Sequence, residues 1–237
     1  MPCPTSFASY QIRPISEGTT ANPGLKLSEG WRNVVPLNIE HFHPRSSAHR
    51  PQTQVRLAYS GSALYVRFDV QDRYVRSVHR GFNGAVCKDS CVEFFTQPAG
   101  ARGYFNFETN AGGSLHCSYI TDPTIGLKGF AGSTMLDAKD LAGIVTYHSL
   151  PDTVDPEITE PIHWTVSLSI PMALLEKYAG PLPGMQDQTW RANFYKCGDA
   201  TSQPHWASWN PIGEQLSFHK PEYFGEIVFA SGSITSR

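Results

Sequence analysis

Alternation of apolar and polar side chains predicts strands along most of the chain. In the segment 64–70 the even-numbered positions are apolar, whereas Tyr65, Arg67 and Asp69 occupy the odd positions and are expected to face outward. The preceding segment 55–59 also alternates, and the turn 60–62 predicts a hairpin. Seven further strands are predicted: Cys91–Thr96, Gly103–Asn110, Leu115–Ile120, Gly143–His148, Ile162–Ile170, Thr189–Tyr195 and Gly225–Phe229.

Only one helix is predicted, at Pro171–Tyr178, because proline stands in its first turn and Gly180 follows its end. The acidic, proline-containing segment Pro151–Glu157 is interpreted as a connecting loop. Many short strands with a single short helix are typical of an all-β fold. We therefore predict a two-sheet antiparallel β-sandwich, jelly-roll-like, with one short helix.

Composition restricts the partners of this sandwich. The 237 residues include 19 Lys+Arg and 21 Asp+Glu, a formal net charge of -2, and a balance of this kind without a basic cluster argues against nucleic acid. No apolar run has the length of a membrane span, and residues 1–6 lack the features of an export signal. We expect a monomer without membrane contact, cytoplasmic as the sequence stands and secreted or periplasmic if the true N-terminus is truncated.

Cysteines, histidines and acidic residues offer no clear metal motif. The cysteines lack the paired spacing of zinc sites, so free buried thiols are the main interpretation and one disulfide is the alternative. We also consider a transition-metal site at His41, His43 and His49, and calcium held by Asp69, Asp72 or Asp122. No cofactor is expected to be required. The cysteines are Cys3, Cys87, Cys91, Cys117 and Cys197.

A polar row on one predicted strand is the first candidate for function. Asn106, Glu108 and Asn110 alternate with apolar residues, and Glu93 lies in the adjacent predicted strand. Amides and carboxylates fixed on one sheet face suit sugar hydroxyls, each of which can donate and accept a hydrogen bond. The alternative is the solvated face of an amphipathic strand.

Aromatic residues near the C-terminus are the second candidate. Their rings can stack on a pyranose, although aromatic residues also form protein cores. The run contains Trp206, Trp209, Phe218, Tyr223 and Phe224, interrupted by His205, Asn210 and His219.

Catalysis has little support, because no nucleophile elbow and no phosphate-binding glycine loop occur. Glu93 and Glu108 could form the carboxylate pair of a glycoside hydrolase. The distance between their carboxyl groups would test this alternative.

Several segments together resemble the family 9 carbohydrate-binding modules, over a region from about Trp31 to Phe229. The motifs are Asp-Ser-x-Val-Glu at 89–93 and Phe-Gly-Glu at 224–226. The matching segments are Val55–Tyr59, Ala63–Phe68, Lys88–Phe95, Gly103–Asn110, Trp190–Lys196, Ser208–Trp209 and Phe218–Glu226.

This resemblance implies a sugar-binding β-sandwich, often attached to xylanases, with structural calcium in some members and a terminal sugar clamped between two aromatic rings. Glu93 matches the carboxylate that bonds sugar hydroxyls, Phe218 stands in place of a stacking tryptophan, and Asn106 in place of a sugar-bonding arginine. The second stacking tryptophan would lie near Val86, and Phe82 is the nearest aromatic residue.

We therefore predict non-catalytic binding of a mono- or oligosaccharide, such as a xylan or cellulose chain end, as part of polysaccharide catabolism. Alternatives are a glycoside hydrolase and an interaction module without a sugar ligand. The predicted units are an N-terminal extension and first strand (1–30), the sandwich (31–230) and a tail (231–237). The predicted site residues are Glu93, Asn106, Glu108, Asn110, Lys196, Trp209, Phe218 and His219.

Overall fold

A computed structural model describes residues 7–15, 31, 34–126 and 129–231. Among them are sixteen strands and two short α-helices, α1 (Ala138–Ala142) and α2 (Met172–Ala179). Neither α-helix has the length and apolar character to cross a bilayer. The strands are β1 (Ser9–Pro14), β2 (Leu37–Ile39), β3 (His41–Phe42), β4 (Gln52–Tyr59), β5 (Ala63–Asp72), β6 (Val75–Ser77), β7 (Cys91–Gln97), β8 (Tyr104–Asn110), β9 (Leu115–Gly126), β10 (Gly129–Met135), β11 (Val145–His148), β12 (Val154–Ile158), β13 (Ile162–Pro171), β14 (Thr189–Cys197), β15 (Trp206–Ser208) and β16 (Gly225–Phe229).

The strands form a β-sandwich of two sheets, as predicted. The first sheet has the order β10-β9-β8-β7-β14-β16, and the second has the order β4-β5-β13-β11. Strand β1 joins the sheets, because its first four residues pair with β16 and its last two pair with β4. A small separate sheet contains β12 and β6.

The core lies between the two sheets. Phe94 of β7 stacks between Phe107 of β8 and Phe194 of β14, with ring centroids 6.1 and 5.1 Å away. The even-numbered apolar residues of β5 pack against this layer from the second sheet, and Phe68 contacts Phe194 edge to face. Burial of such large rings is the main favourable contribution to the stability of the sandwich.

Several details differ from the prediction. The sandwich is not wholly antiparallel, because β1 runs parallel to both of its neighbours. A second helix, α1, is present, and its N-terminus is capped by Asp137, whose side chain accepts a hydrogen bond from the Asp140 amide. The segment predicted as a loop at Pro151–Glu157 contains most of β12, which pairs with β6.

The outward face of β5 is covered at Tyr65 and Arg67, whereas Asp69 and Gln71 line an open cleft further along the strand. Tyr65 packs with Trp31 and Val34, which come from a distant part of the chain. Arg67 is buried because its guanidinium group binds Asp69, at 2.8 Å between Nη2 and Oδ1. The alternating pattern therefore identified the two faces of this strand correctly, but it did not predict that the outward side chains of Tyr65 and Arg67 are buried.

Candidate functional site

Two carboxyl groups lie side by side on the outer face of the first sheet. Glu93 of β7 and Glu108 of β8 are direct register partners. Tyr195 of β14 is the partner of Glu93 on one side, and His116 of β9 is the partner of Glu108 on the other. Residues in register point to the same face, so these four side chains cross four strands in a line. We call Tyr195, Glu93, Glu108 and His116 the carboxyl row.

The polar groups around the row are buried, which excludes the solvated-face alternative. Glu93 and Asn106 are each only 2% exposed, and Glu108 is half-buried. The Asn106 amide Nδ2 donates to Glu108 Oε1 at 2.7 Å, while its Oδ1 accepts from the Ser118 backbone N–H at 2.6 Å. The amide therefore fixes the position of the Glu108 carboxyl group.

Burial raises the pKa of both carboxyl groups. For Glu93, desolvation is the largest cause and the nearby Glu108 charge adds to it. For Glu108, burial raises the pKa to about 7, although the hydrogen bond from Asn106 acts in the opposite direction. Among the residues that the structure describes, no ion pair reaches either carboxyl group. The row is thus rich in hydrogen-bond acceptors and lacks a compensating cation.

This pKa shift predicts a pH-dependent gain in stability for Glu108→Gln. Between pH 4.5 and 7 the folded state keeps a proton that the unfolded chain releases, so the stability of the wild type falls as the pH rises through this range. Glutamine keeps the Oε1 acceptor for Asn106 but carries no charge. We expect the variant to be about 1–3 kcal/mol more stable than the wild type at pH 8 and no more stable at pH 4.5.

Urea denaturation in metal-free buffer at both pH values measures this difference. The control is Glu176→Gln on α2, because Glu176 is exposed. If Glu108→Gln changed the free energy of unfolding equally at pH 4.5 and pH 8, the raised pKa of Glu108 would be contradicted.

Aromatic and histidine side chains border the carboxyl row. Phe218 stacks on Tyr195, with ring centroids 4.0 Å apart and planes inclined by 10°. The Tyr195 hydroxyl donates to the Phe218 carbonyl oxygen at 3.0 Å, which fixes the loop carrying this ring. The neighbouring His219 lies 3.0 Å from the Tyr104 hydroxyl through Nδ1 and 4.4 Å from the Phe130 ring. Burial, together with His116, lowers the pKa of His219 to about 4, so the ring is neutral at pH 7.

A loop before β7 approaches the row from another direction. Its Asn83 docks on β9, where the backbone N–H of Cys117 donates to Asn83 Oδ1 at 3.2 Å. The adjacent Phe82 ring is 47% exposed. Asn110 lies beneath this loop, and its amide is already occupied, donating to Asp89 and accepting from the Ser114 N–H. Asn110 therefore supports the loop, whereas Phe82 has a face free for contact.

Lys196 and Trp209 are not brought to the carboxyl row. Lys196 follows Tyr195 in β14 and so points to the opposite face, where its Nζ lies 3.3 Å from Asp72 Oδ2 and 2.8 Å from His205 Nε2. Trp209 contacts Phe194 edge to face in the core. Of the eight predicted site residues, the structure gathers Glu93, Asn106, Glu108, Phe218 and His219, with Asn110 at the edge.

Sequence reasoning missed Tyr195, His116, Tyr104 and Phe130 as neighbours of the site. Tyr195 and His116 both fall inside predicted strands. Their position beside the two glutamates depends on strand order and register, which the alternating pattern within a single strand does not contain.

The histidines and aspartates considered as metal ligands from the sequence do not converge on one site. His43 Nε2 binds the Glu214 carbonyl oxygen and His49 Nε2 binds Asp72, so the three histidines do not converge. Asp69 is ion-paired with two arginines. Within the described ranges, one group of three or more ligands has metal-binding geometry, and it consists of Cys91, Glu93 and Cys197. All four described cysteines are free thiols, as expected, and Cys3 lies outside the described residues.

Surface clefts of about 570, 590 and 700 Å³ lie away from the carboxyl row. The first two cover the outer face of the second sheet near Gln52 and His163, and the third lies beside Glu40 and Tyr223. None of the three is lined by either glutamate of the row. These clefts have the volume of a ligand site, but the row combines converging hydrogen-bond acceptors with stacked aromatic rings, which is the chemistry that a sugar ligand requires.

Comparison with known proteins points to carbohydrate binding. The sequence profile of carbohydrate-binding family 9 matches residues 31–229. An extracellular protein of Arthroderma benhamiae is 25% identical over 193 residues, covering 76% of this chain and 79% of that protein.

Two solved structures share the fold. A protein from Bacteroides uniformis, named as a candidate carbohydrate-binding protein, has a TM-score of 0.82 and 26% identity, covering 94% of this chain and all of that one. A family 9 module from Caldicellulosiruptor kristjanssonii, solved with cellotriose, has a TM-score of 0.62 and 16% identity, with 96% of each chain covered. The same organism's module was also solved with glucose.

Proposed function

This chain belongs to carbohydrate-binding family 9, and we propose that it binds the end of a xylan- or cellulose-type glycan at the carboxyl row, as a monomer and without catalysis. Carbohydrate binding is the activity of the family, whereas the ligand and the site are our proposals. The observation that carries the site is the line of Glu93 and Glu108 beside the Phe218–Tyr195 stack.

The chemistry of the row suits sugar hydroxyls. Carboxylate and amide oxygens accept hydrogen bonds, and the buried sheet holds Glu93, Glu108 and Asn106 without loss of side-chain entropy on binding. The Phe218 ring presents an apolar surface for the C–H face of a pyranose. Phe82, exposed on the facing loop, is our candidate for the second ring. Rigid acceptors beneath an aromatic rim give modest affinity with orientation specificity.

The site proposal predicts a loss of sugar affinity in Glu93→Ala. Removing the Glu93 acceptor leaves a sugar hydroxyl unsatisfied in a buried site, which costs about 1–3 kcal/mol, so we expect affinity to fall by about 5- to 100-fold. Isothermal titration with glucose, xylose, cellotriose and xylotriose measures this change. Phe218→Ala should weaken binding through the lost stacking surface.

Two matched variants serve as controls for this titration. Glu176→Ala removes an exposed glutamate on α2, and Phe42→Ala removes a half-buried aromatic ring of β3 at a different cleft. Both should bind like the wild type. Unchanged sugar binding in Glu93→Ala would overturn the site, and absence of binding across all sugars would favour an interaction module.

A glycoside hydrolase using the same two carboxyl groups is the second candidate function. A general acid requires a carboxyl group with a raised pKa, and the Glu108 pKa of about 7 meets this requirement, although the pKa of Glu93 is raised as well. Chromatography of the titration mixtures tests this candidate, because shortened oligosaccharides that disappear in Glu108→Gln would establish hydrolysis.

We also propose that the protein acts outside the cell. The supporting observation is the similarity to an Arthroderma benhamiae protein described as extracellular. Polymeric xylan and cellulose are extracellular substrates, so this location agrees with the proposed ligand. It replaces the cytoplasmic expectation, for which the relatives provide no support.

A further inference from the structure

Two thiols and a carboxyl group meet on the first sheet, at one end of the carboxyl row. Cys91 of β7 and Cys197 of β14 are direct register partners, and Glu93 follows two residues after Cys91 on the same face. The two Sγ atoms and a carboxylate oxygen all lie within 4.8 Å of one another. Each of the three residues is at most 2% exposed.

The geometry points to a zinc site, and we propose that Cys91, Cys197 and Glu93 bind one zinc ion. Thiolate and carboxylate are established zinc ligands, at about 2.3 Å for Zn–S and about 2.0–2.2 Å for Zn–O. Tetrahedral coordination at these lengths places ligand atoms about 3.5–3.8 Å apart. Side-chain adjustments of about 1 Å would close the present arrangement around an ion. Three protein ligands leave a fourth position for water or another group.

The charges around the cluster favour a cation. Glu108 faces Glu93, and the Cys197 thiol donates to Glu93 Oε1 at 3.2 Å. The described residues place no lysine or arginine in an ion pair with either glutamate. A divalent ion would supply the positive charge that this buried acidic group lacks, and it would displace the thiol protons on binding.

The thiols themselves are protonated without metal. Burial raises the pKa of Cys91 to about 12, while the contact with Cys91 and burial together raise the pKa of Cys197. Zinc binding should therefore release protons and weaken as the pH falls.

Zinc binding and sugar binding would be linked through Glu93, an inference that rests on the proposed function. If Glu93 ligates zinc, its carboxylate oxygens are less available to sugar hydroxyls. Zinc and sugar should then compete, so that the sugar affinity of the zinc-loaded protein is lower than that of the metal-free protein.

The test uses the full chain, stripped of metal by a chelator and kept in a phosphine reductant. Titration with zinc against a chromophoric chelator gives the stoichiometry, and cobalt in place of zinc gives a thiolate-to-metal charge-transfer band. We expect one ion per chain and a clear band. Cys91→Ser and Cys197→Ser should each lose the band, and Glu93→Gln should keep it while weakening affinity by about tenfold or more.

Cys117→Ser is the matched control, because Cys117 is also fully buried in the first sheet but belongs to the core cluster on its inner face. This variant should bind zinc like the wild type, and circular dichroism checks that each variant folds. The proposal is overturned if the wild type gives no band, or if the band survives in both serine variants. A Cys91–Cys197 disulfide that persists in reductant would also overturn it. Because zinc stoichiometry is measured without sugar, failure of the sugar site leaves this result unaffected.

Discussion

Lys196→Ala is expected to destabilise the protein by about 3–5 kcal/mol, because it leaves the Asp72 carboxylate buried without its cation. Lys196 is completely buried, and its Nζ lies 3.3 Å from Asp72 Oδ2. The same ammonium group lies 2.8 Å from His205 Nε2 and 5.7 Å from the centre of the Trp164 ring. This cluster is part of the contact between the two sheets, since Asp72 ends β5 and Lys196 belongs to β14.

The pKa values in this cluster reflect the strength of the pairing. Burial alone would raise the pKa of Asp72, but the Lys196 charge and hydrogen bonds from His49 and Trp164 outweigh burial and lower it. Burial, reinforced by Lys196, lowers the pKa of His205 to about 3. His205 is therefore neutral at pH 7, with Nδ1 donating to the Gln203 carbonyl oxygen and Nε2 accepting from Lys196. Each polar atom of the histidine ring has a partner.

Urea denaturation at pH 7 measures this loss, and Lys139→Ala on α1 is the control because Lys139 is exposed. The double variant Lys196→Met/Asp72→Leu removes both charges and keeps apolar volume. It should recover much of the lost stability, since a buried ion pair and an apolar pair of similar size often contribute similarly. The free energies of unfolding of the single variants Lys196→Met and Asp72→Leu are measured as well. If the double variant is destabilised by the sum of the two single losses, packing and not charge explains the result.

Lys196 also illustrates what the sequence could not provide. In β14 the even positions 190, 192 and 194 are apolar and the odd positions 189, 191 and 193 are polar, so the alternation places Lys196 on the core face, where a lysine is not expected. Tyr195 ends the predicted strand and Lys196 is the next residue, so the two side chains point to opposite faces of the sheet. Lys196 was assigned to the sugar site as a polar group carried by a strand, like Glu93 and Glu108, whereas the structure buries it against Asp72 of the second sheet.

The first sheet was more predictable. Strands β7 and β8 begin and end within one residue of their predicted bounds, and the polar row with Glu93 beside it was correctly located on one face. The burial of that row was not predictable, because the loop carrying Phe218 and the loop before β7 cover it from distant parts of the sequence. Tertiary cover of this kind leaves no local pattern.

Asp89 is the residue that attaches one of these covering loops. Its carboxylate is fully buried and accepts hydrogen bonds from the backbone N–H groups of Val78 and His79, at 3.0 and 2.9 Å, and from Asn110 Nδ2 at 2.8 Å. The segment between His79 and Asp89 carries both the exposed Phe82 ring and Cys87. One carboxylate therefore fixes both ends of the loop that faces the carboxyl row.

We expect Asp89→Ala to lower the free energy of unfolding by about 3–5 kcal/mol, because two backbone N–H groups and the Asn110 amide lose a fully buried acceptor at once. The loop would also be released, so the sugar affinity of the folded protein should fall as well. Asp89→Asn keeps the size of the side chain but replaces one acceptor oxygen with a donor, and it should give an intermediate loss. Urea denaturation and sugar titration on the same samples measure both effects.

Asp152→Ala is the control for this experiment, since Asp152 pairs with Arg80 as Asp89 pairs with Arg76, but Asp152 is exposed. An exposed pair contributes about 0–1 kcal/mol, so this variant should be nearly as stable as the wild type. A folded Asp89→Ala protein with unchanged sugar affinity would show that the loop carrying Phe82 takes no part in binding, and the second aromatic contact would then have to be sought elsewhere. Loss of affinity in Asp89→Ala together with retained affinity in Asp152→Ala would instead assign the loop to the site, because the two variants differ mainly in whether the loop stays attached.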